Sequence, residues 1–128
     1  MTEKTTIMNG SVIIIDDDEN ITELLSEYLL MQDFVVLGIG YNGLDAVNLY
    51  TEHKPDFVLM DFAMPKYDGL YGLENIRKIN PEAKVIIITA NIDQVITKKL
   101  NQLHPTFILK KPYLMEKLTN IMTSLSHE

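Results

Sequence analysis

The stretch Val58-Leu59-Met60-Asp61-Phe62-Ala63-Met64-Pro65 decides the reading of this chain. An apolar run over residues 57–60 follows Pro55-Asp56 and stops at a single carboxylate, Asp61. A short apolar run bounded by turn signals reads as a buried strand. Asp61 then stands at its carboxyl end, the edge at which open α/β sheets bind ligands. Upstream, Val12-Ile13-Ile14-Ile15 runs into Asp16-Asp17-Asp18 in the same way. Two neighbouring strands that both end in carboxylates bring like charges together, which costs free energy unless a cation lies between them.

Outward from these two stretches the chain alternates. Strands are expected at residues 12–15, 34–39, 57–60, 85–88 and 106–109. Asn20 can cap a helix with Ile21, Leu24, Leu25, Tyr28 and Leu29 on one face. Asn42-Gly43 opens a second helix, with Leu44, Val47 and Tyr50 or Leu49 inward. Asp68-Gly69 opens a third, with Leu70, Leu73, Ile76 and Ile79 inward, ending at Asn80-Pro81. A fourth covers residues 94–103, and a fifth covers 114–125 with Leu114, Leu118, Ile121 and Leu125 on one stripe. Continuous Val, Ile and Leu strands, each followed by an amphipathic helix, mean an α/β fold with a parallel sheet covered on both faces.

Composition bounds the function. The 128 residues suit one domain, expected over 11–128 behind a flexible tail at 1–10. The net charge of −7 argues against nucleic acid as a direct partner. The chain has no cysteine, which excludes disulfides, thiolate metal sites and Cys nucleophiles. No signal-peptide core and no apolar run of about 20 residues occur, so a cytoplasmic protein without membrane insertion is expected. The three histidines share no ligand spacing, and the seven methionines read as core filler.

Four strand ends carry polar residues: Asp16-Asp17, Asp61, Thr89 and Lys111. In a parallel sheet they share one edge. Carboxylate oxygens suit Mg²⁺, and a hydroxyl with an ammonium suits the far side of a phosphoryl group. Taken singly, each has a bland alternative: Asp16 and Asp17 as helix caps, Asp61 as a turn residue, Thr89 as a strand former, Lys111-Pro112 as a loop start.

Together, Ile14-Ile15-Asp16-Asp17-Asp18-Glu19, Met60-Asp61-Phe62-Ala63-Met64-Pro65 with Asp68-Gly69-Leu70, Ile88-Thr89-Ala90 and Lys111-Pro112-Tyr113 resemble a response-regulator receiver domain of two-component signal transduction, of the stand-alone chemotaxis type. The resemblance covers about residues 11–126. It implies a flavodoxin-like sheet in the order 2-1-3-4-5 with five helices. It implies that Asp61 accepts a phosphoryl group from a phosphohistidine on a sensor histidine kinase or phosphotransfer protein. A downstream target protein would then read the surface around helix 4, strand 5 and helix 5. The metal site implied is Mg²⁺ with Asp17 as direct ligand, Asp16 through water, Asp61, and the Ala63 backbone carbonyl. Thr89 is implied to hydrogen-bond the phosphoryl oxygens, with backbone N–H groups of Ala63 and Ala90, and Lys111 to pair with the acceptor. The Lys111-Pro112 bond is implied to be cis.

The chain departs from the family pattern near strand five. The aromatic residue usual three positions before the lysine is Ile108 here, with Phe107 one earlier, and His104-Pro105 replaces a small-residue turn. Lys110 competes with Lys111, although alternation along a strand lets only one point in. Ala63 and Asn91 are expected rim positions for the hydrolytic water. Two other classes remain. An aspartyl-phosphate phosphatase wants a second Asp two residues after the first, where Ala63 stands. An inactive receiver serving as an interaction module would lack one of the acidic pair, the lysine or the acceptor, and none is lacking.

Overall fold

Side chains that are buried on both faces of a strand pack best when β-branched, and runs of Ile and Val satisfy that need. The computed structural model describes residues 8–90 and 93–126. β1 (Gly10–Ile15), β2 (Phe34–Gly40), β3 (Phe57–Asp61), β4 (Val85–Thr89) and β5 (Phe107–Lys110) form one parallel sheet. Its order is β2-β1-β3-β4-β5, the flavodoxin-like order expected. Between strands run α1 (Glu19–Met31), α2 (Gly43–His53), α3 (Gly69–Ile79) and α4 (Gln94–Gln102), and α5 (Met115–Leu125) follows β5.

The sheet separates two cores by the alternation of its side chains. Ile13, Ile15, Val58, Met60, Val85 and Ile87 pack with Tyr50 of α2, Leu73 and Ile76 of α3 and Leu100 of α4. Val12, Ile14, Phe57, Leu59, Ile86 and Ile88 pack with Leu25 and Leu29 of α1 and Leu118 and Met122 of α5.

Several expected boundaries and faces are corrected. β1 begins at Gly10, within the span expected as tail; residues 1–7 of that span lie outside the described residues. The cap of α1 is Asp18, whose carboxylate accepts the Asn20 N–H at 2.9 Å, and not Asn20. On α1, Thr22, Leu25 and Leu29 are buried, while Ile21 and Leu24 are 37% and 51% exposed. Thr22 can be buried because its hydroxyl donates to the Glu19 carbonyl at 3.0 Å, leaving no unsatisfied polar group. Ile79, the last residue of α3, and Leu114, which precedes the first turn of α5, are exposed. On α5 the buried residues are Leu118, Thr119 and Met122.

Two glycines let α3 approach the sheet edge. A Cβ on Gly69 would lie 2.8 Å from Phe62 Cα and 2.9 Å from the Asp61 carbonyl oxygen. A Cβ on Gly43 would overlap the Asp68 carbonyl, where Asp68 caps α3. Gly69→Ala is therefore expected to destabilise the protein by about 1–3 kcal/mol through overpacking against backbone. A urea titration checks this as a lower midpoint at unchanged slope; an unchanged midpoint would mean that the start of α3 and the end of β3 can separate freely.

Candidate functional site

Register places the polar strand ends side by side. Ile15 pairs with Met60, Asp61 with Ile88, and Thr89 with Lys110. Asp16 and Asp61 are buried at 7% and 5% exposure, whereas Asp17 is exposed. One carboxylate oxygen from each of Asp16, Asp17 and Asp61 lies within 4.8 Å of the others. Lys111 Nζ stands 2.7 Å from Asp61 Oδ1. The Ala63 backbone N–H also donates to the Asp61 carboxylate. Asp16 Oδ1 accepts the Asp18 N–H at 3.0 Å, which orients the buried carboxylate from its own loop.

Lys110 and Lys111 diverge, as alternation requires. The Lys111-Pro112 bond is cis, and the Lys111 N–H donates to the Thr89 carbonyl at 2.9 Å. Lys110 instead borders a groove of about 540 Å³ between α4 and β5, which Thr89, Gln94, Thr97, Lys98, Asn101 and Ile108 also line. Thr89 is buried at the end of β4 on that side. Ile108 packs against the core on the α4 side, while Phe107 borders a different groove with Lys117, Asn120 and Ile121 of α5. Among the described residues, no aromatic side chain therefore lines the groove at Thr89.

Burial is the first influence on every shifted group here. It raises the Asp16 pKa to about 6, against the Asp18 N–H and with the charge of Asp61. It raises Asp61 as well, opposed by the hydrogen bond and charge of Lys111. For Lys111 burial acts downward, but the hydrogen bond and charge of Asp61, then the charges of Asp16 and Asp17, outweigh it and hold the ammonium above its usual pKa. Three crowded carboxylates face one ammonium, and every side-chain donor of the cluster is oxygen. That donor set fits a hard divalent cation such as Mg²⁺.

A second groove, about 480 Å³, opens beside the cluster; Asp16 and Lys111 border it with Ile21, Leu24, Tyr113 and Met115. Ile21 and Leu24, expected in the core, line this groove instead. Burial, then the charges of Asp16 and Asp61, raise the Tyr113 pKa. His53 ends α2, 3.7 Å from Glu52, and His104 lies in the α4–β5 turn with left-handed backbone. Asn91 and His127 lie outside the described residues. Among the described residues no helix is long and apolar enough to cross a membrane.

Comparison with known proteins agrees with this geometry. Residues 12–123 match the family described as the response regulator receiver domain. The chain is 29% identical over 119 residues to the chemotaxis protein CheY of Thermotoga maritima, covering 93% of this chain and 99% of that protein. A DNA-binding response regulator of the LuxR family from Staphylococcus aureus is 29% identical with a TM-score of 0.85, over 91% of this chain and 98% of that one. The CheX–CheY–BeF3–Mg complex from Borrelia burgdorferi contains a chain 27% identical with a TM-score of 0.82, over 90% of this chain and 87% of that one. The chain belongs to the response regulator receiver domain family of two-component signalling, whose members are phosphorylation-controlled switches.

Proposed function

We propose that the protein accepts a phosphoryl group on Asp61 from the phosphohistidine of a sensor histidine kinase or phosphotransfer protein, in a Mg²⁺-dependent reaction. The carrying observation is the Asp61–Lys111 pair set within a cluster of two further carboxylates. Phosphoryl transfer asks for positioning and charge neutralisation more than for covalent help. Asp16, Asp17, Asp61 and the Ala63 carbonyl would hold Mg²⁺, which supplies neutralisation of the charge on carboxylate and phosphoryl group.

The chain's own residues do the rest. Lys111 holds Asp61 Oδ1 and the Ala63 N–H holds the same carboxylate, so its orientation is set before the donor arrives. A carboxylate oxygen of Asp61 forms a bond to phosphorus as the phosphorus–nitrogen bond breaks. The electron pair stays on the imidazole nitrogen, and the product is an acyl phosphate. Thr89, at the end of β4, is the hydroxyl assigned to the phosphoryl oxygens, with the N–H groups of Ala63 and Ala90. Lys111 then neutralises the phosphoryl group. Hydrolysis of the acyl phosphate ends the signal, so the protein acts as a switch and not as an enzyme on an external substrate. A downstream target protein reads the α4–β5–α5 surface. We assign the receiver to residues 10–128, since β1 opens at Gly10, and the protein to the cytoplasm.

Acetyl phosphate with Mg²⁺ is expected to give an adduct of one phosphoryl group by intact mass, mapped to Asp61. Release of phosphate without an adduct would favour the phosphatase reading. Neither adduct nor release would mark the chain as an interaction module.

A further inference from the structure

The groove of about 480 Å³ beside the carboxylate cluster has two kinds of wall. Ile21, Leu24 and Leu25 of α1, Ile88 of β4, and Pro112 and Met115 after β5 make it aliphatic over most of its surface. The charged side chains that border it are Asp16 and Lys111. Ala90, whose N–H is assigned above to the phosphoryl oxygens, borders it as well. Asp61 does not, although Lys111 Nζ stands 2.7 Å from its Oδ1. Seen from the acceptor, the groove therefore lies beyond the groups assigned to the metal and to the phosphoryl group.

In an in-line displacement the leaving oxygen stands opposite the attacking one. Whatever that oxygen carries is directed away from Asp61, toward surfaces that Asp61 does not border. Of the two grooves that reach the site, the one between α4 and β5 is walled mostly by polar side chains, Gln94, Thr97, Lys98 and Asn101 among them. The groove at α1 is the one that suits an aliphatic chain. Such a chain gains free energy there by leaving water, whereas a polar one gives up hydration without finding partners. Ile21 and Leu24, 37% and 51% exposed, are the apolar walls that an occupant would cover.

We infer that this groove receives the aliphatic acyl chain of a small-molecule phosphodonor, so that Ile21 and Leu24 make the site prefer butyryl phosphate to acetyl phosphate. The inference rests on phosphorylation of Asp61 as proposed above and adds a class of donor to it. The step is the same for every acyl phosphate. A carboxylate oxygen of Asp61 bonds to phosphorus, the bond from phosphorus to the acyl oxygen breaks, and the electron pair leaves on the carboxylate of the free acid. Acetate, propionate and butyrate are leaving groups of nearly equal basicity, and their phosphates carry the same charge. Reactivity and long-range electrostatics therefore cancel along the series, and only the chain differs.

Rates of adduct formation by intact mass, with acetyl, propionyl and butyryl phosphate below saturation at one Mg²⁺ concentration, test it. Each added methylene is expected to raise the second-order rate constant about threefold, so that butyryl phosphate reacts about tenfold faster than acetyl phosphate. Decay of the adduct after donor removal is expected to be the same for all three, since the product on Asp61 is the same. Methoxyacetyl phosphate puts an ether oxygen in place of one butyryl methylene. It is expected to lose most of the gain, although methoxyacetate leaves more readily. Leu24→Ser and Ile21→Ser put a hydroxyl on the wall at exposed positions and are expected to bring the ratio of butyryl to acetyl rates close to one. Should either variant fail to fold, the wild-type series alone decides. Equal rates along that series would overturn the inference, as would a ratio unchanged in both variants. A loss of equal size for every donor would assign the groove to a protein partner and overturn it too. Absence of an adduct from every donor would instead overturn the phosphorylation reading, and this inference with it.

Discussion

Asp61→Asn is expected to remove phosphoryl uptake altogether while leaving the protein folded. The amide keeps the shape of the carboxylate and an oxygen that can accept from Lys111 Nζ, which stands 2.7 Å away in the wild type. It lacks the anionic oxygen that must bond to phosphorus. Removing the charge also relieves Asp16, because Asp61 is among the causes that raise its pKa. The uncharged variant is therefore expected to stay folded without metal, so loss of labelling cannot be ascribed to unfolding. Intact mass after incubation with acetyl phosphate and Mg²⁺ gives the result. A variant that takes label at the wild-type rate on another residue would show that Asp61 is not the acceptor.

The metal-free protein is expected to become more stable as the pH falls from about 7.5 to about 5. Burial pushes Asp16 up to about 6 in the folded protein, against 3.8 for a free aspartate. Asp61 is raised as well. Between these limits the folded state keeps protons that the unfolded chain has lost, so stability falls as pH rises through the folded pKa. The gain on acidification is complete below the unfolded value. For Asp16 alone the whole difference, reached only below pH 3.8, corresponds to about 3 kcal/mol, of which about half falls between pH 7.5 and 5, since one pKa unit is about 1.4 kcal/mol. Lys111 has no part in this window, because its ammonium is held above its usual pKa and its charge is constant there. Mg²⁺ acts in the opposite sense: it binds ionised carboxylates of the folded state and stabilises by mass action, by about 2.7 kcal/mol at a hundred times its Kd. Urea midpoints with chelator at several pH values, repeated with Mg²⁺, separate the two. Asp16→Asn is expected to flatten most of the slope in chelator. A chelated protein that loses stability between pH 7.5 and 5 would contradict the cause assigned to Asp16.

Periodicity made the sheet legible because its central strands are buried on both faces. Runs such as Val85-Ile86-Ile87-Ile88 admit few other fates, and β3 and β4 are buried along their whole lengths. The carboxylate cluster was legible through topology, since parallel strands deliver all their carboxyl ends to one edge. The helical faces were less so. Ile21 and Leu24 satisfy the spacing of a core stripe yet rim a groove, because spacing reports a face of α1 and not what stands opposite it. Asp16-Asp17-Asp18-Glu19-Asn20 offers several cap residues in a row, and only the backbone selected Asp18. Arg77 gave no signal at all. Its carbonyl partners Leu103 and His104 are distant in sequence, and backbone acceptors leave no trace in side-chain identity.

Four helices, α1 to α4, begin behind Asp18, Asn42, Asp68 and Asp93. Each cap is a local hydrogen-bonding device, but three of them are also charges, and all stand on the edge that holds Asp16, Asp17 and Asp61. The site therefore sits at the focus of a negative potential that the net charge of −7 reinforces. Such a field draws divalent cations toward the edge and slows the approach of anionic phosphodonors. Salt screens both effects over about 10 Å at 0.1 M. Rising ionic strength thus moves the two encounter rates in opposite directions, slower for the cation and faster for a small anionic donor.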